Sequence, residues 1–179
     1  MFGRKKTTRR TGPLLLAAVV ARLASSTATS PEDLVHRLCA FLDGVGKAAL
    51  ATGGHILQSV GNVALVAWRV GLGSGGCTVD PLGTATRVLD VVRRGVASPD
   101  AVRLCVAMAL GECSYGERGG RVIDVTGTAW LRVAKDFVPA LGGDEDAIVL
   151  DRSLRDVLAL GRVVDVGDGW SRVTGPVRS

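Results

Sequence analysis

The sequence predicts an α+β domain: a ferredoxin-like split βαβ sheet with helices on one face. Three observations point to it. Residues 13–21, PLLLAAVVA, form an unbroken apolar run, as in a central strand buried on both faces. A capped amphipathic helix follows. Two short apolar runs, His55–Val60 and Val63–Val70, are then separated only by Gly61 and Asn62, a hairpin signal.

The remaining elements fall in order along the chain. A Ser/Thr-rich loop, Ser25 to Thr29, leads to Ser30, which caps a helix with Pro31 at its first position and Asp33 three residues after the cap. The apolar stripe of that helix is Leu34, Leu38, Phe41, Leu42, Val45 and Ala49. Gly53 and Gly54 end it. A glycine-rich loop, Gly71 to Gly76, precedes a second helix opened by Asp80 and Pro81 and ending near Gly95. Val102 to Leu110 reads as a buried strand, Glu112 to Gly120 as a hairpin loop, and Arg121 to Val125 as the returning strand. A third helix is expected from about Thr128 to Val138, with Trp130, Ala134, Phe137 and Leu141 on one stripe. A strand at Ala147 to Leu150, a helix from Asp151 to Leu160 and a hairpin at Arg162 to Val173 complete the chain.

Composition narrows the function classes. At 179 residues, one domain over 13–179 is expected, behind a basic tail over 1–12 that reads as disordered. Aromatic residues make up 4% of the chain, too few for a base-stacking platform. The net charge of +5 comes from Arg4, Lys5, Lys6, Arg9 and Arg10; beyond them the basic residues balance the 17 acidic ones. Such a tail is a contact for a nucleic acid, an anionic membrane or an acidic partner, or it is simply solvated. Cys39, Cys77, Cys105 and Cys113 form no C-x-x-C pair, and His36 and His55 lack zinc-site spacing to them. Cys39 and Cys105 sit in apolar runs and read as core residues; reduced thiols and a cytoplasmic location follow. A basic start before residues 13–21 is also the pattern of a secretory signal, but the run stops at Arg22 and suits a strand better.

Two weaker motifs carry little. Gly71, Gly73 and Gly76 match a G-x-G-x-x-G fingerprint, yet the next helix begins too late for its N-terminus to sit under a pyrophosphate. Asp144, Glu145 and Asp146 read as a solvated acidic loop.

Three segments together resemble the class III adenylate/guanylate cyclase family across roughly residues 13–173. They are Ser30–Val35 with Ala51–Ile56, then Gln58–Trp68, then Gly111-Glu112 with Asp124–Ala129. The resemblance implies the chemistry to look for: two aspartates holding two Mg²⁺ ions, an Asn and an Arg on the third helix, a base-reading pair, and a site completed between two subunits. On that comparison the first metal Asp falls at Ala18 and the second at Asn62. The Asn falls at Leu131 and the Arg at Lys135, and the base-reading positions are Gln58 and Asp124. Only Asp124 matches. The expectation is therefore a chain that is not an enzyme and holds no metal or cofactor. It would act as a dimerising regulatory or interaction module, as a homodimer or with a related domain. The alternatives are a purine or cyclic-nucleotide sensor without turnover, and a nucleic-acid- or membrane-associated factor tethered by its tail.

Overall fold

The computed structural model describes residues 6–23, 30–71, 80–96, 102–136, 145–158 and 162–174. Arg4, Lys5, Cys77, Phe137, Leu141, Asp144, most of the glycine-rich loop and the Ser25–Thr29 loop lie outside them. The elements run β1 (Thr8–Leu23), α1 (Pro31–Ala51), β2 (His55–Val60), β3 (Val63–Arg69), α2 (Pro81–Gly95), β4 (Val102–Arg118), β5 (Arg121–Thr126), α3 (Thr128–Leu131) with a π-helical continuation (Arg132–Asp136), β6 (Ala147–Asp151), α4 (Arg152–Leu158), β7 (Val163–Gly167) and β8 (Trp170–Val173).

The eight strands form one sheet in the order β2-β3-β1-β4-β6-β8-β7, with β5 paired to β4 off that path. The apolar run is the middle of the sheet: β1 lies antiparallel to both β3 and β4. The other edge of β4 is shared. Its first half pairs in parallel with β6, Cys105 to Met108, and its far end pairs with β5, Ser114 to Arg118.

Alternation along β1 divides the core in two. Leu15, Ala17, Val19 and Ala21 pack with Phe41, Val45 and Ala48 of α1 and with Val88 and Val92 of α2. Leu14, Leu16, Ala18 and Val20 face the other way, toward Tyr115, Val122 and Val125 of the β4–β5 hairpin, Ala129 of α3, Val133 and Trp170. The long helices share one face, as the split βαβ pattern requires; the short third helix covers the opposite face together with β5. Close packing of α1 on α2 depends on Gly44, where a Cβ would lie 3.1 Å from the Val92 Cα.

Several expected boundaries move. Strand β1 starts at Thr8, five residues before the boundary set for the tail, because Thr8 to Gly12 continue the ladder with Cys113 to Glu117. The residues expected as a hairpin loop are mostly strand: β4 runs on to Arg118, burying Cys113 and Tyr115, and the turn shrinks to Gly119 and Gly120 at positive φ. The third helix keeps α-geometry only through Leu131. Helix α4 starts at Arg152, because Asp151 ends β6 and accepts the Leu154 N–H at 3.1 Å, as a helix cap does. Cys39 is exposed rather than in the core, since the buried side of α1 runs through Phe41, Gly44, Val45, Ala48 and Ala49. The acidic loop does structural work at Asp146. That carboxylate pairs with Arg93 of α2 and accepts the Leu104 N–H at 2.8 Å.

Candidate functional site

The β4–β5 hairpin curls over the second face of the sheet and brings β5 against β2. This places Asp124 and Gln58, the expected base-reading positions, on neighbouring strands. Gln58 is exposed and follows a bulge in the β2–β3 ladder. Asp124 is held from two sides. Its Oδ1 accepts the Gly116 N–H at 2.6 Å and an Arg9 guanidinium N–H at 3.0 Å. Arg9 was assigned to a disordered tail; in the fold it is a strand residue opposite Gly116. Both bonds fall on Oδ1, so Oδ2 remains as an acceptor for a ligand donor.

Other charges gather nearby. Glu117 takes Arg10 at 2.8 Å and Arg69 at 3.4 Å. His55, at the start of β2, has its Nδ1 buried with no hydrogen-bond partner among the described residues. Its pKa is pushed below the usual histidine value, first by burial and then by the Arg69 and Arg121 cations, with Glu117 opposing. Three chain segments therefore build this end of the molecule: the start of β1, the open end of the β2–β3 hairpin at His55 and Arg69, and the β4–β5 hairpin.

At the opposite end of β1, the structure separates two positions the resemblance put together. Ala18 pairs with Leu65 and Ala107 in mid-strand and is fully buried. Asn62 sits three residues further along the ladder, opposite Ala21: the Ala21 N–H donates to the Asn62 carbonyl at 2.9 Å, and the Asn62 side-chain N–H donates to the Ala21 carbonyl at 2.7 Å. Ala18 and Asn62 do not face each other, because each residue of offset along a strand is about 3.3 Å. On the third helical segment, Leu131 is 48% exposed and Lys135 is exposed, neither packed into the core.

A magnesium pair at this end of the sheet would need carboxylate oxygens beside Asn62. Among the described residues no three His, Cys, Asp or Glu side chains come together to hold a metal, and Asn62 offers a neutral amide oxygen rather than a carboxylate. Mg²⁺ is held mainly through carboxylates, so the described donors around Asn62 do not fit such a pair, and no step is derived through it.

No family model matches the sequence, and no curated protein matches it. Solved structures do. The guanylyl cyclase domain of the RhoGC fusion protein from Blastocladiella emersonii superposes with a TM-score of 0.64 at 11% identity, covering 93% of this chain and 98% of that one. The adenylyl cyclase CyaB from P. aeruginosa superposes at 0.60 with 17% identity, covering 96% and 98%. The guanylate cyclase domain of RhGC from Catenaria anguillulae, solved in complex with GTP, superposes at 0.61 with 12% identity, covering 92% and 98%. The chain has the fold of the class III nucleotide cyclase domains.

This corrects the expectation that the chain is not an enzyme. The solved cyclase-fold domains are adenylyl and guanylyl cyclases, which are enzymes. The cyclase-like fold spans nearly the whole chain, and no described helix is long and apolar enough to cross a membrane.

Residue reading missed Arg118 and Arg121 as a pair. The signal was present: they flank Gly119-Gly120, a hairpin turn that sets the two arginines side by side.

Proposed function

We propose that this domain binds a purine nucleotide and works as a dimer. The observation that carries the reading is Asp124: an acceptor carboxylate fixed by the Gly116 N–H, on a strand lying against β2. A guanine base presents a ring and an exocyclic N–H donor and an adenine base an exocyclic one, which a fixed carboxylate reads at close range. Arg9 is 62% exposed at its side chain, so its pairing with Asp124 is screened and readily displaced by a ligand. Support also comes from the fold, shared over nearly full length with domains solved with GTP or ATPalphaS. The RhoGC domain is described both as a monomer and as a non-canonical dimer, so pairing of two copies is open to this fold. A regulatory role through that interface is part of the same proposal.

The test is calorimetry with ATP, GTP and their 3′,5′-cyclic forms, with Mg²⁺ and then Mn²⁺, reading product in the same samples. At least one purine nucleotide should bind in the micromolar range. Asp124→Ala should weaken it by about 1–3 kcal/mol, roughly fivefold to 150-fold. No heat with any of the four would refute the reading. Sedimentation should show a dimer at high concentration.

A second reading rests on a different observation. Arg9, Arg10, Arg69, Arg118 and Arg121 gather at one end of the sheet, where the described acidic residues are Glu112, Glu117 and Asp124. This concentration supports contact with a polyanion, and binding of duplex DNA that weakens steeply with salt would support it.

A further inference from the structure

Positive charge collects where the β4–β5 hairpin turns. Arg118 ends β4 and Arg121 opens β5, with only Gly119 and Gly120, both at positive φ, between them. Both arginines are exposed, and the two glycines carry no side chain that would hold a broad surface away from them. Arg118 also reaches the start of the chain: its Nε and Nη2 donate to Thr7 Oγ1 at 3.4 and 3.3 Å, which sets the exposed Lys6 beside the same turn. The nearest carboxylates are engaged elsewhere. Glu117 takes Arg10 and Arg69, and Asp124 takes Arg9. Glu112 lies further back along β4, opposite Pro13, roughly 16 Å from Glu117 at the usual rise per residue. Among the described residues, Lys6, Arg118 and Arg121 pair with no carboxylate.

Three such cations at one turn, with ion-paired arginines behind them, suit a partner whose negative charges repeat rather than a single anion. The surroundings narrow its kind. Among the described residues no Trp, Tyr or Phe is exposed, so unpaired bases find no ring to stack on. The turn has no apolar side chain to enter a bilayer. A duplex presents its phosphates in a dense row without unstacking a base. We propose that the Arg118–Arg121 turn, with Lys6, seats duplex nucleic acid by its phosphates and not by its base edges. The proposal rests on the polyanion reading of the basic end and narrows it to one turn and one form of nucleic acid. It stands whether or not a purine binds at Asp124.

The test is fluorescence anisotropy of a labelled DNA duplex of about 20 base pairs with the full chain, repeated across a salt series. Binding should fall in the range of roughly 1–100 μM at about 0.15 M salt. Arg118→Gln with Arg121→Gln should cut the slope of log affinity against log salt by about 1.8, at about 0.9 per phosphate contact, and weaken binding roughly tenfold or more at about 50 mM salt. Removing the same charge from the exposed face of α2, by Arg87→Gln with Arg94→Gln, should leave the slope in place. An equal fall in both double variants would overturn the proposal. Binding kept in full by the turn variant but lost in Arg10→Gln with Arg69→Gln would sink the turn and leave the polyanion reading standing; no binding of duplex, single strand or heparin would sink both. The unmutated protein decides the form of the partner even if a variant fails to fold. A scrambled duplex of the same length should bind equally and a single strand more weakly. Tighter binding of single strand, or of vesicles containing phosphatidylserine, would overturn the duplex assignment.

Discussion

Replacing Asp146 by alanine tests how α2 is pinned to the sheet. The Asp146 carboxylate accepts two guanidinium bonds from Arg93, one of them at 3.0 Å, and the Leu104 N–H at 2.8 Å. Arg93 also donates to the Val102 carbonyl at 2.7 Å, so one arginine ties the end of α2 to the start of β4. Leu104 is 1% exposed, so its N–H depends on this acceptor. Stranding that N–H costs about 1–3 kcal/mol. The ion pair, with side chains 24% and 32% exposed, adds about 1 kcal/mol after solvent screening. Asp146→Ala should therefore lose roughly 2–4 kcal/mol, a fall in Tm of roughly 5–15 °C for a domain of this size. Asp146→Asn keeps an acceptor for Leu104 and should lose only about 1 kcal/mol. Urea denaturation of the three proteins reads this directly. A loss below about 0.5 kcal/mol for the alanine variant, or equal losses for both, would refute the pinning argument.

Three further outcomes are expected. A Cβ at Gly54 would lie 2.6 Å from Trp68 Nε1, which donates to Thr52 Oγ1 at 2.9 Å; Gly54→Ala should cost about 1–3 kcal/mol in a thermal melt, and a neutral result would mean the indole moves freely. His55 is held below its usual pKa, so the unfolded chain takes up its proton first as pH falls; its contribution is complete above pH 6.5 and declines below it, and His55→Gln should flatten the pH dependence of stability below pH 6.5. Burial pushes the Cys105 thiol up to about 12 while Cys39 is exposed, so peptide mapping after iodoacetamide at pH 8 should find Cys39 alkylated and Cys105 protected until the protein unfolds.

Much of the architecture was legible because its signals are local. The run at residues 13–21 is apolar at every position, which only a strand covered on both sides can use. Ser30 caps α1 through the Asp33 N–H at 3.1 Å, and Asp80 caps α2 through the Leu82 N–H at 3.1 Å, both from side chains readable in sequence. The β4–β5 turn was misplaced for an equally physical reason. Glu112, Ser114 and Glu117 resemble loop residues, yet alternate positions Cys113 and Tyr115 point inward and keep the strand going.

The candidate site was less legible, because it joins residues far apart in the chain. Asp124 could be picked out by its match to a motif, but nothing local indicates that Arg9, 115 residues away, is its partner. Nor does local pattern show that Asn62 meets Ala21 rather than Ala18, since a buried run of small and branched residues looks the same at every register.

The sequence by itself determined the class of fold, the order of its elements, the caps of the two long helices and the central place of β1. These follow from the apolar period and from the first-turn chemistry of each helix, which are properties of neighbouring residues. The tertiary structure alone decided where Arg9 and Arg10 go, which carboxylates they meet, and which residue faces Asn62. Those depend on strand register and on the curl of the β4–β5 hairpin, set by packing across the whole sheet rather than by any stretch of chain alone.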